Sequence, residues 1–313
     1  MSDVIRKNAW VAGLVALLAV LLVVTKLIQP TFGVSGLESI ARAALPFAFA
    51  TAGMAVVVIV GGIDLSVASM MAVCAVAAAV LMERMAGVPA LLIVLALGLV
   101  MGFLNGALIV LTRVPDIVVT LAMLFVWEGV ALLILETPGG AASDWLEQSI
   151  RGSFLVPGIP NALVVTIICV AVVWLPIRRS KLGLSIYATG SDELAAFRSG
   201  VAIGPTKILA YSLCGVLCAF GGLSLAALTG IGEPVPGPYL LASVAAVVLG
   251  GVVLGGGRGS LLGPLIAVYI LRIIRTILTL LAFDPNVTTI IEGVIMVGVV
   301  MLGTAAMMRG AQQ

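Results

Sequence analysis

Apolar runs close to twenty residues long recur along this whole chain, and they dictate its class before any motif is read. Ten can be marked, at 9–27, 40–60, 65–82, 89–111, 117–135, 161–177, 207–229, 239–254, 261–283 and 287–307. A helix needs about 20 apolar residues to cross the hydrocarbon of a bilayer. The eighth run is the shortest and ends in glycine. Hydrophobic residues make up 62% of the chain and charged residues 10%, whereas a soluble domain carries roughly 25% charged residues. A β-barrel would show short alternating segments instead of continuous runs. The expected fold is an all-α polytopic membrane protein, a single transmembrane domain over 1–313 with about ten transmembrane helices. A net charge of +2 is too small to point to nucleic acid.

Basic residues set the expected orientation. With the N-terminus inside, the inner segments and span ends hold Arg6, Lys7, Arg113, Arg178, Arg179, Lys181, Arg198, Lys207, Arg258 and Arg309. The outer ones hold only Lys26, Arg42, Arg84 and Arg151, and the ninth run itself holds Arg272 and Arg275. That excess follows the positive-inside rule, so an even number of spans puts both termini in the cytoplasm. No small-residue cleavage site closes the first run, which is read as an uncleaved anchor.

Few residues offer chemistry. The chain has no histidine, which excludes His-based triads and His-ligated metal sites. Its cysteines, Cys74, Cys169, Cys214 and Cys218, lie in apolar runs and read as small packing residues. Asp64 is the only charge between 43 and 82, within Gly61-Gly62-Ile63-Asp64-Leu65-Ser66. A carboxylate beside hydrocarbon is costly and usually faces protein, water or solute. Two readings stand: a tight cytoplasmic connection whose glycines let the backbone turn, or a polar point on a path through the membrane.

Two connections are long. The outer one, 136–160, carries Asp144-Trp145-Leu146-Glu147 and reads as a short interfacial helix, with contact to an extracytoplasmic protein as the alternative. The inner one, 178–206, opens on Arg178-Arg179-Ser180-Lys181 and continues to Ser191-Asp192-Glu193-Leu194-Ala195-Ala196-Phe197-Arg198-Ser199-Gly200. Ser191 or Asp192 can cap a helix of about two turns that Gly200 ends, with an apolar face through Leu194, Ala195 and Phe197. Such a helix is shaped to dock into a groove on another protein or to lie on the bilayer.

Several separated stretches carry a resemblance. Gly61 through Val67 is similar to a GGIDLSVG signature, with Ala68 in place of the final glycine. Asn105-Gly106-Ala107-Leu108-Ile109 is similar to an NGxLI element, and Pro115 through Leu121 to PxFIVTL. Tyr187-Ala188-Thr189-Gly190 with Glu193, Ala195, Ala196 and Gly200 resembles a YAxGxNxxAAxxSGI loop. Ala245 through Gly251 and Gly256-Gly257-Arg258-Gly259-Ser260 match AAVVxGG and GGxGS elements. Together they resemble the membrane-spanning permeases of bacterial ABC importers for ribose, xylose and related sugars, a group related to branched-chain amino acid permeases.

The resemblance implies about ten helices in the bacterial inner membrane. It also implies a pair of permeases, from this chain or a paralogue, seated on ATP-binding subunits and fed by a periplasmic binding protein. No lysine follows a glycine, so the P-loop pattern is missing; this chain would bind no cofactor, and ATP would be hydrolysed by the partner subunit. Asp192, Glu193, Ala195, Ala196 and Gly200 would form the coupling helix, although Leu194 holds the acid's place and Glu193 stands one residue early. Asp64, Asn105 and Thr120 become candidates for the solute path, with helix packing as the competing role for Asn105 and Gly106.

Arg272 and Arg275, three apart on one face of the ninth run, replace small or amide residues of related permeases, while Leu240-Leu241-Ala242 replaces a Glu-Leu-Asp run. Acids lost and arginines gained favour an anionic or partly anionic solute. The alternative is internal pairing with Glu128 or Glu292, or snorkelling to the outer surface. The rival class is an ion- or proton-coupled secondary carrier, which would need a titratable Asp64 or Glu128 and no ATPase.

Overall fold

The computed structural model describes residues 2–153, 155, 156, 158–235 and 237–310, with side chains described over 9–298 and at 301. The side chains of Arg6, Lys7 and Arg309, counted above on the inner side, lie outside the described residues. In chain order the helices are α1 (Ser2–Ile28), α2 (Val34–Ile59), α3 (Val67–Arg84), α4 (Gly87–Thr112), α5 (Asp116–Ile134), α6 (Asp144–Ile150), α7 (Asn161–Arg178), α8 (Lys181–Ser191), α9 (Glu193–Arg198), α10 (Ile203–Thr229), α11 (Tyr239–Leu249), α12 (Leu262–Leu280) and α13 (Pro285–Gly310). Each of the ten apolar runs is a helix, and the described residues contain no β-strand.

Among the described residues, eight helices are long and apolar enough to cross a membrane: α1, α2, α3, α4, α5, α7, α10 and α12. The run at 239–254 is corrected. Its helix has 11 residues, a rise of about 17 Å at 1.5 Å per residue, against a hydrocarbon core of about 30 Å. It stops because Gly250 and Gly251 turn the chain away, Gly251 at φ 82°. In α13 the apolar part with described side chains is Pro285–Gly298.

Burial sorts the spans into a centre and a rim. The apolar windows of α2, α3 and α10 are 89%, 78% and 72% buried, whereas that of α1 is 11% buried. Small residues make the centre possible: α3 reads VASMMAVCAVAAAV, and α10 carries glycines and cysteines along its length. Cys214 Sγ would lie 3.1 Å from a Cβ on Gly53, so it fills the α2–α10 contact as packing, as its apolar setting predicts. Helix α1 is apolar on every side and holds on at the rim, where Trp10 Nε1 donates to Leu249 O at 2.9 Å.

Helix α4 meets α10 along Gly98, Gly102 and Gly106, spaced one turn apart, where backbones approach as small-residue interfaces allow. A Cβ on Gly102 would meet Tyr211 O and lie 2.9 Å from Ser212 Cα, and one on Gly106 would lie 2.8 Å from Ile208 Cα. Because those obstacles are backbone, Gly102→Ala is expected to destabilise the chain by roughly 1–3 kcal/mol, an overpacking cost. Thermal unfolding in detergent checks this, and an unchanged midpoint would contradict the packing.

The two ends of the bundle differ. At one end the long connection folds back on the helices: Ala142 N donates to Gly230 O at 2.9 Å, Gly152 N to Glu38 Oε1 at 2.7 Å, and Gly139 pairs with Gly232. The short helix expected there is α6, which buries Leu146 and Ile150. At the other end α8 stands beside the C-terminus of α2 and α9 follows it, so α2 runs from the α6 end to the α9 end.

Candidate functional site

The Asp64 segment is a built break between two buried helices. Helix α2 ends in a Schellman motif: Gly61 N donates to Val58 O at 3.0 Å and Gly62 N to Val57 O at 2.9 Å, with Gly61 at φ 93°. Gly62 is needed for space, since a Cβ there would lie 2.5 Å from Asp116 Oδ2 and from Tyr211 Oη. Helix α3 then starts on an Asx turn, in which Asp64 Oδ1 accepts from Ser66 N at 2.9 Å and from Ser66 Oγ at 2.6 Å. The carboxylate thus sits at the positive end of α3. The connection is as tight as read from the glycines, but its carboxylate turns inward and is fully buried.

Three of the residues singled out in the sequence meet here. Asn105 Nδ2 donates to Ser66 Oγ at 2.7 Å and reaches Asp64 Oδ2 at 3.5 Å, while Trp127 Nε1 donates to Asn105 Oδ1 at 3.2 Å. Thr120 Oγ1 lies 2.8 Å from Asp116 O and 3.2 Å from Ile63 O, its one hydrogen shared between the two carbonyls, and Tyr211 Oη donates to Asp116 Oδ2 at 2.9 Å. The cluster joins α2, α3, α4, α5 and α10. Asp64, Asn105 and Thr120 are buried, so in this conformation they pin the break and line no open channel. Ser66, Trp127, Asp116 and Tyr211 were not singled out. Nothing local marks Trp127 or Tyr211, because their partners lie 22 and 95 residues away.

Below the break a glycine junction ties α8 to α2. A Cβ on Gly190 would meet Ile59 O and lie 2.5 Å from Gly257 N. Gly257 N itself donates to Ile59 O at 2.8 Å, and Tyr187 Oη donates to Gly259 O at 2.9 Å. The end of α8, the end of α2 and the Gly256-Gly257-Arg258-Gly259 loop before α12 are therefore one contact.

Helix α9 follows α8 after a single residue. Asp192 caps it, its Oδ1 accepting from Ala195 N at 2.9 Å, and Gly200 ends it at φ 85°, with Gly200 N bonded to Phe197 O and Val201 N to Ala196 O. Glu193 pairs with Lys207 at 2.8 Å. Ala195 and Gly200 are exposed, but Ala196 is 5% exposed and packs inward. The outward apolar face is Leu194 and Phe197, at 58% and 68% exposure. Of the three residues given that face in the sequence, Leu194, Ala195 and Phe197 all point out.

Arg272 and Arg275 lie elsewhere, in a cavity of about 680 Å³ at the α6 end, between the α1–α2 turn, α2, α11, α12 and α13. Arg272 Nη2 and Nε donate to Ala43 O at 2.6 and 3.1 Å, in the turn of α2 that Pro46 loosens. Arg275 Nη1 meets Glu292 Oε2 at 3.4 Å, one of the two pairings weighed above; Glu128 has no ion pair among the described residues. Thr276 and Thr279 share the cavity wall. Their spacing from Arg272, at i+4 and i+7, is a signal the sequence held.

A ten-run helical bundle, broken at a buried carboxylate, with a capped helix held off one end, is the architecture of a membrane permease. Residues 36–300 match the family described as branched-chain amino acid transport system / permease component, and the chain belongs to that family. It is 32% identical over 298 residues to the ribose import permease protein RbsC of Escherichia coli (strain K12), covering 92% of each chain. It is 29% identical over 311 residues to the autoinducer 2 import system permease protein LsrD of Escherichia coli O9:H4 (strain HS), covering 94% of this chain and 92% of that one. No solved structure matches. The chain is a multi-pass membrane permease subunit of the ABC importer kind.

Proposed function

We propose that this chain is a single permease domain forming the translocation path for a sugar or sugar-like solute in a bacterial ABC importer of the inner membrane. The observation that carries this reading is the similarity to a ribose import permease over nearly the whole of both chains. The chain crosses the membrane about ten times with both termini in the cytoplasm, as its basic residues favour, the short α11 and the non-helical chain after it together making the eighth crossing. It works as one of a permease pair, receives solute from a periplasmic binding protein at the α6 end, and meets an ATP-binding subunit at the α9 end. The chain itself carries no cofactor.

Leu194 and Phe197 supply the docking surface, with Asp192 and Gly200 fixing the helix that presents them. Exposed aromatic and aliphatic anchors on a short rigid helix are what a groove on a partner recognises. Movement of α9 reaches the bundle through α8, because Gly190 abuts both Ile59 and Gly257. The end of α2 and the loop before α12 then shift together, and with them the broken segment at Asp64. Two packed arrangements of such a junction would open the path to each side in turn. A secondary carrier, the rival reading, offers no use for a capped apolar helix standing off the bundle.

The test is co-purification. The tagged chain, drawn from its native membrane in mild detergent, is expected to bring a stoichiometric P-loop subunit. Leu194→Glu with Phe197→Glu is expected to remove that subunit without altering the elution profile of the chain, since both side chains are exposed. Retention of the partner by this double variant would contradict the docking surface. Solute uptake into ATP-free liposomes by the chain alone would restore the secondary carrier.

A further inference from the structure

We infer that the cavity between the α1–α2 turn, α11, α12 and α13 binds the carboxylate of a sugar acid, so that the solute is a monoanion and not a neutral sugar. The inference rests on the permease reading, and four observations carry it. The first is a polar stripe. Arg272, Arg275, Thr276 and Thr279 fall at i, i+3, i+4 and i+7 of α12, one face of the helix, and all four line the cavity. A membrane helix that turned this face to lipid would leave two cations in hydrocarbon, which is costly enough that such residues face water, partners or solute.

The second is charge. The charged residues lining the cavity are Arg272, Arg275 and Glu292, a net single positive charge. Glu292 is within ion-pair distance of Arg275 alone, and Arg272 has no carboxylate within that distance among the described residues. The Ala43 carbonyl orients Arg272 but does not neutralise it. One missing negative charge suits a carboxylate. A phosphate monoester, at about −1.5 to −2, would overshoot it.

The third is donor geometry. Two bonds to one carbonyl fix the Arg272 guanidinium and leave it further N–H groups. Arg275 is held only by a 3.4 Å contact and keeps 43% of its side-chain surface open. A guanidinium so placed can take a carboxylate with two parallel hydrogen bonds. Glu292, 16% exposed, can accept from a sugar hydroxyl. The fourth is size and place: about 680 Å³ lies within the range of small-molecule sites, roughly 300–1,000 Å³. The cavity is at the end of the bundle opposite α9, where solute would arrive.

An anionic lipid headgroup offers related chemistry, and the test separates the two. The full chain with its co-purifying subunits is placed in phosphatidylcholine nanodiscs, and its thermal midpoint is followed against D-galacturonate and D-gluconate, each beside its neutral parent sugar, at constant ionic strength. The acids are expected to raise the midpoint and the neutral sugars to leave it. Arg275→Gln is expected to weaken the acid response on the order of tenfold or more, the weight of a charge-assisted hydrogen bond. Arg275→Lys, which keeps the charge but not the two parallel hydrogen bonds, is expected to give a response weaker than that of the native chain and stronger than that of Arg275→Gln, and so separates lost recognition from misfolding.

The inference is overturned by no response to either acid, by an equal response to the neutral sugars, or by an acid response intact in Arg275→Gln. It is also overturned if phosphatidylglycerol, and not the acids, raises the midpoint through Arg275, which would assign the cavity to lipid. A preparation that keeps its P-loop partner while ignoring the acids loses this inference and retains the permease reading; one without that partner loses the permease reading itself.

Discussion

Replacing Gly190 by alanine is expected to abolish ATP-driven uptake while the ATP-binding partner stays attached. The added methyl meets Ile59 O and lies 2.5 Å from Gly257 N and 3.0 Å from Ile59 C, all of them backbone atoms that no rotamer change can clear. Either α8 moves away or the 2.8 Å bond from Gly257 N to Ile59 O breaks. Overpacking of this kind costs about 1–3 kcal/mol, too little to unfold a well-buried bundle. It acts where the end of α8 touches both the break in α2–α3 and the loop leading to α12. Leu194 and Phe197 are untouched, so docking should persist. The measurement is a pair: co-purification of the P-loop subunit and uptake by the intact importer. Full uptake by Gly190→Ala would show that force does not pass through this contact.

The second large effect is expected at Asn105. Truncation to alanine removes the partner of Trp127 Nε1, one donor to Ser66 Oγ and the amide facing Asp64 Oδ2, all inside the bundle. Leaving a buried indole N–H unsatisfied costs about 1–3 kcal/mol, and a carboxylate deprived of a donor costs more. Interhelical hydrogen bonds in membranes can be worth less, about 0.6 kcal/mol on average. Here the loss is not one bond but the hub of three, so a fall of roughly 2–4 kcal/mol is expected for Asn105→Ala. Asn105→Asp should be worse, since it sets a second carboxylate beside Asp64. Thr120→Val removes one hydroxyl hydrogen shared between Asp116 O and Ile63 O of the break and should cost about 1 kcal/mol. Thermal unfolding of the three variants in one detergent gives the order. A Thr120→Val effect equal to that of Asn105→Ala would mean that the cluster is not centred on the amide.

Much of this was legible in the chain itself. The run lengths gave ten helices, and polar ends such as Ser35 and Glu38 explain why α2 starts at Val34 and not at 40. Gly61 before Asp64 announced a break, and Asp192 and Gly200 announced a capped helix, because helix termini are written in residues adjacent to them. The eighth run misled, since an apolar composition does not reveal where two glycines will turn the chain. Ala196 shows a similar limit: a spacing pattern marks a helix face but not which face the rest of the fold covers.

The amino-acid sequence by itself determined the class, the helices, their caps and the motifs that relate this chain to import permeases, all of which rest on contacts within a few residues. The tertiary structure alone decided the pairings. It turned Asp64 inward to Asn105, brought Trp127 and Tyr211 to the break, packed Ala196 inward while Leu194 and Phe197 face out, and set Arg272 in a cavity where no carboxylate among the described residues lies within ion-pair distance. The physical reason is that hydrophobic patterning is indifferent to partner, while a hydrogen bond or an ion pair requires two particular side chains within about 3 Å. Which two they are is fixed only when α2, α3, α4, α5 and α10 close around one another.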